Sequence, residues 1–107
     1  MRVKTVVEGR IPALKAREFE ASYKALEKNG LVPEGVIRTH LLKSSSDPGL
    51  YIIEGLWESR EAFERMQRSQ TPPAVALFMR FGGNVQMQVF EVVHEILADR
   101  KVAVEAV

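Results

Sequence analysis

The spacing of apolar positions along this chain switches between a period of two and a period near 3.6, and each switch marks an element. Val3 to Glu8, rich in valine and threonine, predicts a first strand that Gly9-Arg10-Ile11-Pro12 brings to a turn. From Ala13 to Lys28 the period is helical, with Leu14, Phe19, Tyr23 and Leu26 near one side, until Asn29-Gly30 closes the last turn. After the Pro33-Glu34-Gly35 turn, Val36 to Lys43 alternates as a strand. That places Val36, Arg38, His40 and Leu42 on one face and Ile37, Thr39 and Leu41 on the other. Ser44 to Gly49 is a loop on composition, and joining two strands close in sequence makes it the tip of a hairpin.

The stretch from Leu50 to Met66 carries the clearest signal. A β-branched and aromatic run ends at Trp57, and Glu58-Ser59 then hands it to a helix with Ala62, Phe63 and Met66 on one stripe. The Ser59 hydroxyl suits the N-cap, and the helix should reach about Ser69. Thr71 is expected to cap a short apolar helix over Ala74 to Phe81, with Pro72 and Pro73 entering it and Gly82-Gly83 ending it. Asn84 to Ile96 reads as the last strand, apolar on both faces in its second half. The tail from Leu97 to Val107 is either an extra strand at a dimer interface or a frayed end.

This order predicts an α+β domain with the ferredoxin-like split βαββαβ arrangement, a four-stranded antiparallel sheet carrying its helices on one face. The whole chain, 1–107, is one domain with a core over about 3–96. One helical layer leaves the other sheet face bare, so a homodimer through that free face is expected. The 107 residues, 46% hydrophobic and 27% charged, fit a small globular protein, and the net charge of +1 comes without basic runs, which argues against nucleic acid as a partner. No apolar run approaches a membrane span and no signal-peptide pattern opens the chain, so a cytoplasmic place is expected. With no cysteine, thiolate chemistry and cysteine metal sites are excluded, and with His40 and His94 as the only histidines no metal site is expected.

The string LYIIEGLWESREAFERMQRSQTP, Leu50 to Pro72, in this element order resembles the antibiotic biosynthesis monooxygenase family. The resemblance covers roughly Val3 to Ile96 and implies a dimeric α/β barrel. It also implies a monooxygenase among quinol monooxygenases, cofactor-free oxygenases of polyketide biosynthesis and haem-degrading enzymes. Haem-degrading relatives carry an asparagine in the first strand, a second tryptophan in the helix after Trp57 and a histidine iron ligand. The corresponding places here hold Val6 or Val7, Met66 and the apolar Ala74 to Ala76, which speaks against haem chemistry. Quinol monooxygenase relatives often carry a histidine after the Gln-Thr-Pro that ends the second helix. Here Gln70-Thr71-Pro72 is followed by Pro73.

The resemblance thus points to oxidation of a small aromatic hydroxylated substrate, quinol or polyketide-like, with no cofactor. Such chemistry asks for an apolar cavity, a base and polar anchors for the ring oxygens. His40 has the pKa class of a base, and Arg38 shares its face; facing solvent or a partner chain, they would do neither job. Trp57 is expected to stack on the ring and Tyr51 to donate to a ring oxygen, although both also suit plain packing. Phe63, Met66, Phe78, Met79 and Phe81 would line the cavity or, equally, fill a core. The alternative function is a non-catalytic small-molecule-binding or dimerisation module.

Overall fold

The computed structural model describes residues 1–98, so the strand or frayed end expected over Leu97 to Val107 lies outside them from residue 99 onward. β1 (Val3–Arg10) leads through a 3₁₀ turn (Ala13–Lys15) into α1 (Ala16–Lys28); β2 (Val36–Lys43) and β3 (Leu50–Trp57) form the hairpin. α2 (Arg60–Ser69), α3 (Pro73–Arg80) and β4 (Val85–Glu91) complete the chain. All pairings are antiparallel, in the order β2-β3-β1-β4, and the sheet of this single chain is open rather than closed into a barrel. This is the ferredoxin-like arrangement that the sequence predicts.

Strand alternation sorts the two faces. Val3, Thr5 and Val7 of β1 and Tyr51, Ile53, Gly55 and Trp57 of β3 are buried beneath the helices. The helices add Phe19, Ala62, Phe63, Met66, Leu77 and Phe78. Ser59 caps α2 as expected, its Oγ accepting from the Ala62 N–H at 3.1 Å. Gly9 must be glycine for packing: a Cβ there would stand 2.5 Å from Phe78 Cδ1. That absence lets the Phe78 ring lie directly on the β1 backbone.

The buried side chains form two clusters rather than one. Phe19 centres the first, its ring 5.0 Å from both Tyr51 and Phe78 and 5.7 Å from Phe81, with Val7, Ile11, Ile53 and Leu77 around them. Val3, Trp57, Ala62, Phe63 and Met66 form the second, at the other end of the sheet. Partly buried Met87 packs against both.

Four details depart from the sequence reading. Leu14, expected on the apolar side of the first helix, is fully exposed, because the 3₁₀ turn sets it out of phase with α1. Thr71 does not cap α3; Pro72 takes that position without a side-chain bond. A bulge between Val36 and Arg38 inserts Ile37, so Val36 pairs with Trp57 on the helix side while Arg38 pairs with Leu56 on the open side. Val36 and Arg38 therefore do not share a face. β4 ends at Glu91 and not Ile96: the Val92 N–H adds one more bond to the Arg2 carbonyl. The chain then turns over the open face, where the Glu95 carboxylate meets Arg2 at 3.3 Å and Arg38 at 3.0 Å.

Candidate functional site

Between the two clusters, under α1 and the α2–α3 joint, lies a cavity of about 530 Å³. Thr5, Val7, Ile53, Gly55, Trp57 and Met87 give its floor from the sheet. Tyr23 and Leu26 of α1, Phe63 and Met66 of α2, and Pro72 to Ala74 of the joint form its walls. Leu31 to Pro33 and the bulged start of β2 border it, with Lys24, Glu27 and Arg38 exposed at its rim. A volume in the roughly 300 to 1,000 Å³ range, mostly apolar with a few polar groups, is that of a small-molecule site.

Two pairs of polar side chains stand in this apolar lining. On the floor, the Trp57 indole N–H donates to Thr5 Oγ1 at 3.2 Å, and the Thr5 hydroxyl reaches the Gly55 carbonyl at 3.5 Å. Toward the β2 side, the Tyr23 hydroxyl donates to Thr39 Oγ1 at 3.1 Å and Thr39 donates to the Glu54 carbonyl at 2.8 Å. Among the described residues no buried side-chain N or O lacks a partner, so the interior carries no stranded polar group.

The structure divides the residues singled out from sequence. Trp57, Phe63 and Met66 come together on the cavity, the Trp57 and Phe63 rings edge to face at 5.4 Å. Phe78 and Phe81 are buried in the Phe19 cluster and do not line it, and Met79 is 60% exposed. Arg38 reaches the rim, but its guanidinium is turned to Glu95. His40 stands across β3 from Glu54 on the open face, its Nδ1 3.5 Å from Glu54 Oε1 and its side chain 57% exposed. Tyr51 points the opposite way, beneath the helices, with its hydroxyl donated to Glu20 Oε2. Burial first, and then the Glu20 carboxylate, pushes the Tyr51 phenol up to about 12, so it stays protonated at neutral pH.

A shallower groove of about 420 Å³ follows the β2 edge beside α1. Glu20, Tyr23, Thr39, His40, Lys43 and Tyr51 border it, so His40 and Tyr51 share its margin although their side chains leave the sheet in opposite directions. Tyr23 and Thr39 belong to both hollows and form the partition between them.

Sequence reasoning overlooked Thr5, Tyr23 and Thr39 as site residues. The signal available was modest: threonines at inward strand positions and a tyrosine on the apolar side of α1 are polar groups that must find partners once buried. Among the described residues, no three His, Cys, Asp or Glu side chains gather as a metal-binding group, and no helix is long and apolar enough to cross a membrane.

A ferredoxin-like sheet with helices on one face and an apolar cavity between the layers defines a class of small α+β proteins. Within that class the chain belongs to the antibiotic biosynthesis monooxygenase family, whose model matches residues 2–76. No match was found among curated proteins. Solved structures share the fold at low identity. The cofactor-independent oxygenase SnoaB of Streptomyces nogalater is 19% identical with a TM-score of 0.68, over 92% of this chain and 98% of its own. A haem-degrading protein of Mycobacterium tuberculosis is 22% identical with a TM-score of 0.66, over 90% and 99%. A conserved protein of Methanosarcina mazei is 14% identical with a TM-score of 0.64, over 84% and 91%.

Proposed function

We propose that this chain is a monooxygenase that oxidises a small hydroxylated aromatic ring with O₂ and without a cofactor, in the cavity between sheet and helices. The observation that carries the reading is that cavity: about 530 Å³, apolar, and bordered by Trp57, Phe63 and Met66 for a flat ring and by Tyr23 and Thr5 hydroxyls for its oxygens. Family membership and the shared fold of SnoaB support it. For an anthrone-like substrate, one oxygen atom becomes a ring carbonyl in place of two C–H hydrogens, and those hydrogens leave with the other oxygen as water. The substrate thereby supplies all four electrons that O₂ accepts. The chain holds the ring, keeps water from it and accepts hydrogen bonds from its hydroxyls, while the ring's proton leaves through the mouth, where Glu27 is the one lining carboxylate among the described residues.

In this proposal Tyr51 ties α1 to the sheet through Glu20, and His40 is not the base of the cavity but part of a dimer surface. The open face supports a homodimer: Leu42 and Phe90 there are 42% and 47% exposed, with half-buried Val6 and Ile52 beside them. An apolar sheet face of this kind is well covered by a second copy, which would turn two open sheets into the two walls of a barrel.

A second reading, non-catalytic binding of the same ligand class, is favoured by one observation. Among the described residues, no histidine or carboxylate side chain lines the cavity except Glu27 at the rim. The experiment that chooses is oxygen uptake by the purified protein with reduced naphthoquinols and anthrones, against their oxidation in air. Uptake above that baseline, lowered by Trp57→Phe and untouched by His40→Ala, is expected. Uptake at the baseline across the panel overturns catalysis and leaves binding.

A further inference from the structure

We propose that Thr39 is a positioning residue that sets the hydrogen-bond polarity of the cavity, so that its interior side chains accept hydrogen bonds and do not donate them. The cavity then selects ligands that bring an O–H or N–H to these oxygens and discriminates against analogues in which that O–H is replaced by an ether or carbonyl oxygen. This rests on the reading that the cavity holds a hydroxylated ring.

The direction of each bond follows from groups that have a single role. The Glu54 carbonyl only accepts, so Thr39 spends its proton there at 2.8 Å. Thr39 Oγ1 is then left as an acceptor, and the Tyr23 hydroxyl must point its own proton at it, 3.1 Å away. The Tyr23 oxygen keeps its lone pairs and no free hydrogen. On the floor, the indole N–H of Trp57 only donates and is committed to Thr5 Oγ1, while the Gly55 carbonyl only accepts and draws the Thr5 proton. Among the described residues, three of the four interior side-chain donors are thus held at 3.2 Å or less and the fourth, the Thr5 hydroxyl, by the longer Gly55 contact of 3.5 Å, so the oxygens of Tyr23 and Thr5 remain to accept. Lys24 and Arg38 carry further donors, but they are exposed at the rim, and the Arg38 guanidinium is bonded to Glu95.

A carbonyl or ether oxygen placed against these acceptors would lose its water partners and gain none, which is costlier than a hydrogen bond is helpful. Thr39 governs the Tyr23 half of this arrangement from one atom away. Removing its hydroxyl frees the Tyr23 proton to turn toward the ligand, so the cavity gains a donor without a change of lining shape.

The test is calorimetric titration of the full chain, under nitrogen, with 2-naphthol and with 2-methoxynaphthalene, the same ring with its one O–H methylated. The indole N–H resonance of Trp57, the single tryptophan, reports by NMR whether binding is at the cavity. The wild type is expected to prefer the naphthol by roughly tenfold. Thr39→Val should bring that ratio to about one or below by tightening the ether, and Thr39→Ser, which keeps the hydroxyl, should restore it. Thr39→Ala makes the same deletion without branching and carries the same expectation should the valine variant fail to fold. Equal affinities in the wild type, or a ratio that Thr39→Val and Thr39→Ala leave unchanged, would overturn the inference, as would absence of binding by both ligands. Since no O₂ is present, a positive ratio stands even where oxygen uptake fails, and the two readings fall separately.

Discussion

Thr5 and Trp57 meet across the β1–β3 pair through a hydroxyl and an indole N–H 3.2 Å apart, and the place where they meet is cleared by Gly55. A side chain there would begin 3.1 Å from Thr5 Oγ1 and 3.3 Å from Trp57 Nε1. The contact therefore depends on the missing side chain of a residue whose carbonyl also faces the Thr5 hydroxyl.

Gly55→Ala is accordingly expected to lengthen the Thr5–Trp57 bond and to cost about 1 kcal/mol by overpacking. Urea denaturation gives the stability, and a displaced indole N–H resonance gives the bond. A variant as stable as the parent with an unmoved resonance would show that the floor has slack.

Gly9→Ala is a harsher change on the neighbouring strand β1, since its Cβ would fall 2.5 Å from a ring carbon of Phe78. The ring sits at the middle of the Phe19 cluster and has nowhere to retreat. A loss of about 3 kcal/mol is expected by denaturant titration. A loss under about 1 kcal/mol would mean that α3 shifts freely off the sheet.

The Tyr51 phenol makes stability depend on alkali. Its pKa in the folded chain is raised from 10 to about 12, so the folded state holds this proton where the unfolded chain has released it. The stabilisation is complete below pH 10 and is lost as the pH climbs through 12, by an amount on the order of 2 kcal/mol. Tyr51→Phe should be less stable than the parent at pH 8 and should lack the extra slope between pH 10 and 12. Parallel curves for the two proteins would assign the alkaline loss to other groups.

The open face supplies a prediction about assembly. The wild type is expected to scatter light as a dimer at micromolar concentration, and Phe90→Glu or Leu42→Glu to scatter as a monomer with the near-ultraviolet signal of Trp57 intact. A wild-type monomer would remove the proposed partner surface.

Much of the architecture was legible because it is local. Ser59, a half-buried polar residue between a β-branched run and a helical stripe, fixes the β3–α2 junction by itself, and Asn29-Gly30 and Gly82-Gly83 close α1 and α3 where expected. The errors share one cause, which is contact between segments distant in the chain. Nothing in the valine-rich run after Glu91 announces that Glu95 will leave the ladder for Arg2 and Arg38. Ile37 is a good strand residue, and only pairing with β3 makes it the extra one. Alternation put His40 and Arg38 together correctly, but it carries no label for which face the helices cover, and so it could not part them from Trp57. The hydroxyls of Thr5, Tyr23 and Thr39 look ordinary singly and acquire meaning only as neighbours.

The two apolar clusters that flank the cavity give this chain an unfinished interior, and a bound molecule would serve as its third piece. Any compound that fills the gap adds RT ln(1 + [L]/Kd) to the unfolding free energy, about 2.7 kcal/mol at a concentration one hundred times Kd. Melting temperature becomes a census tool: a library screened by heat alone, with no assumption about chemistry, would rank molecules by how well they complete the protein.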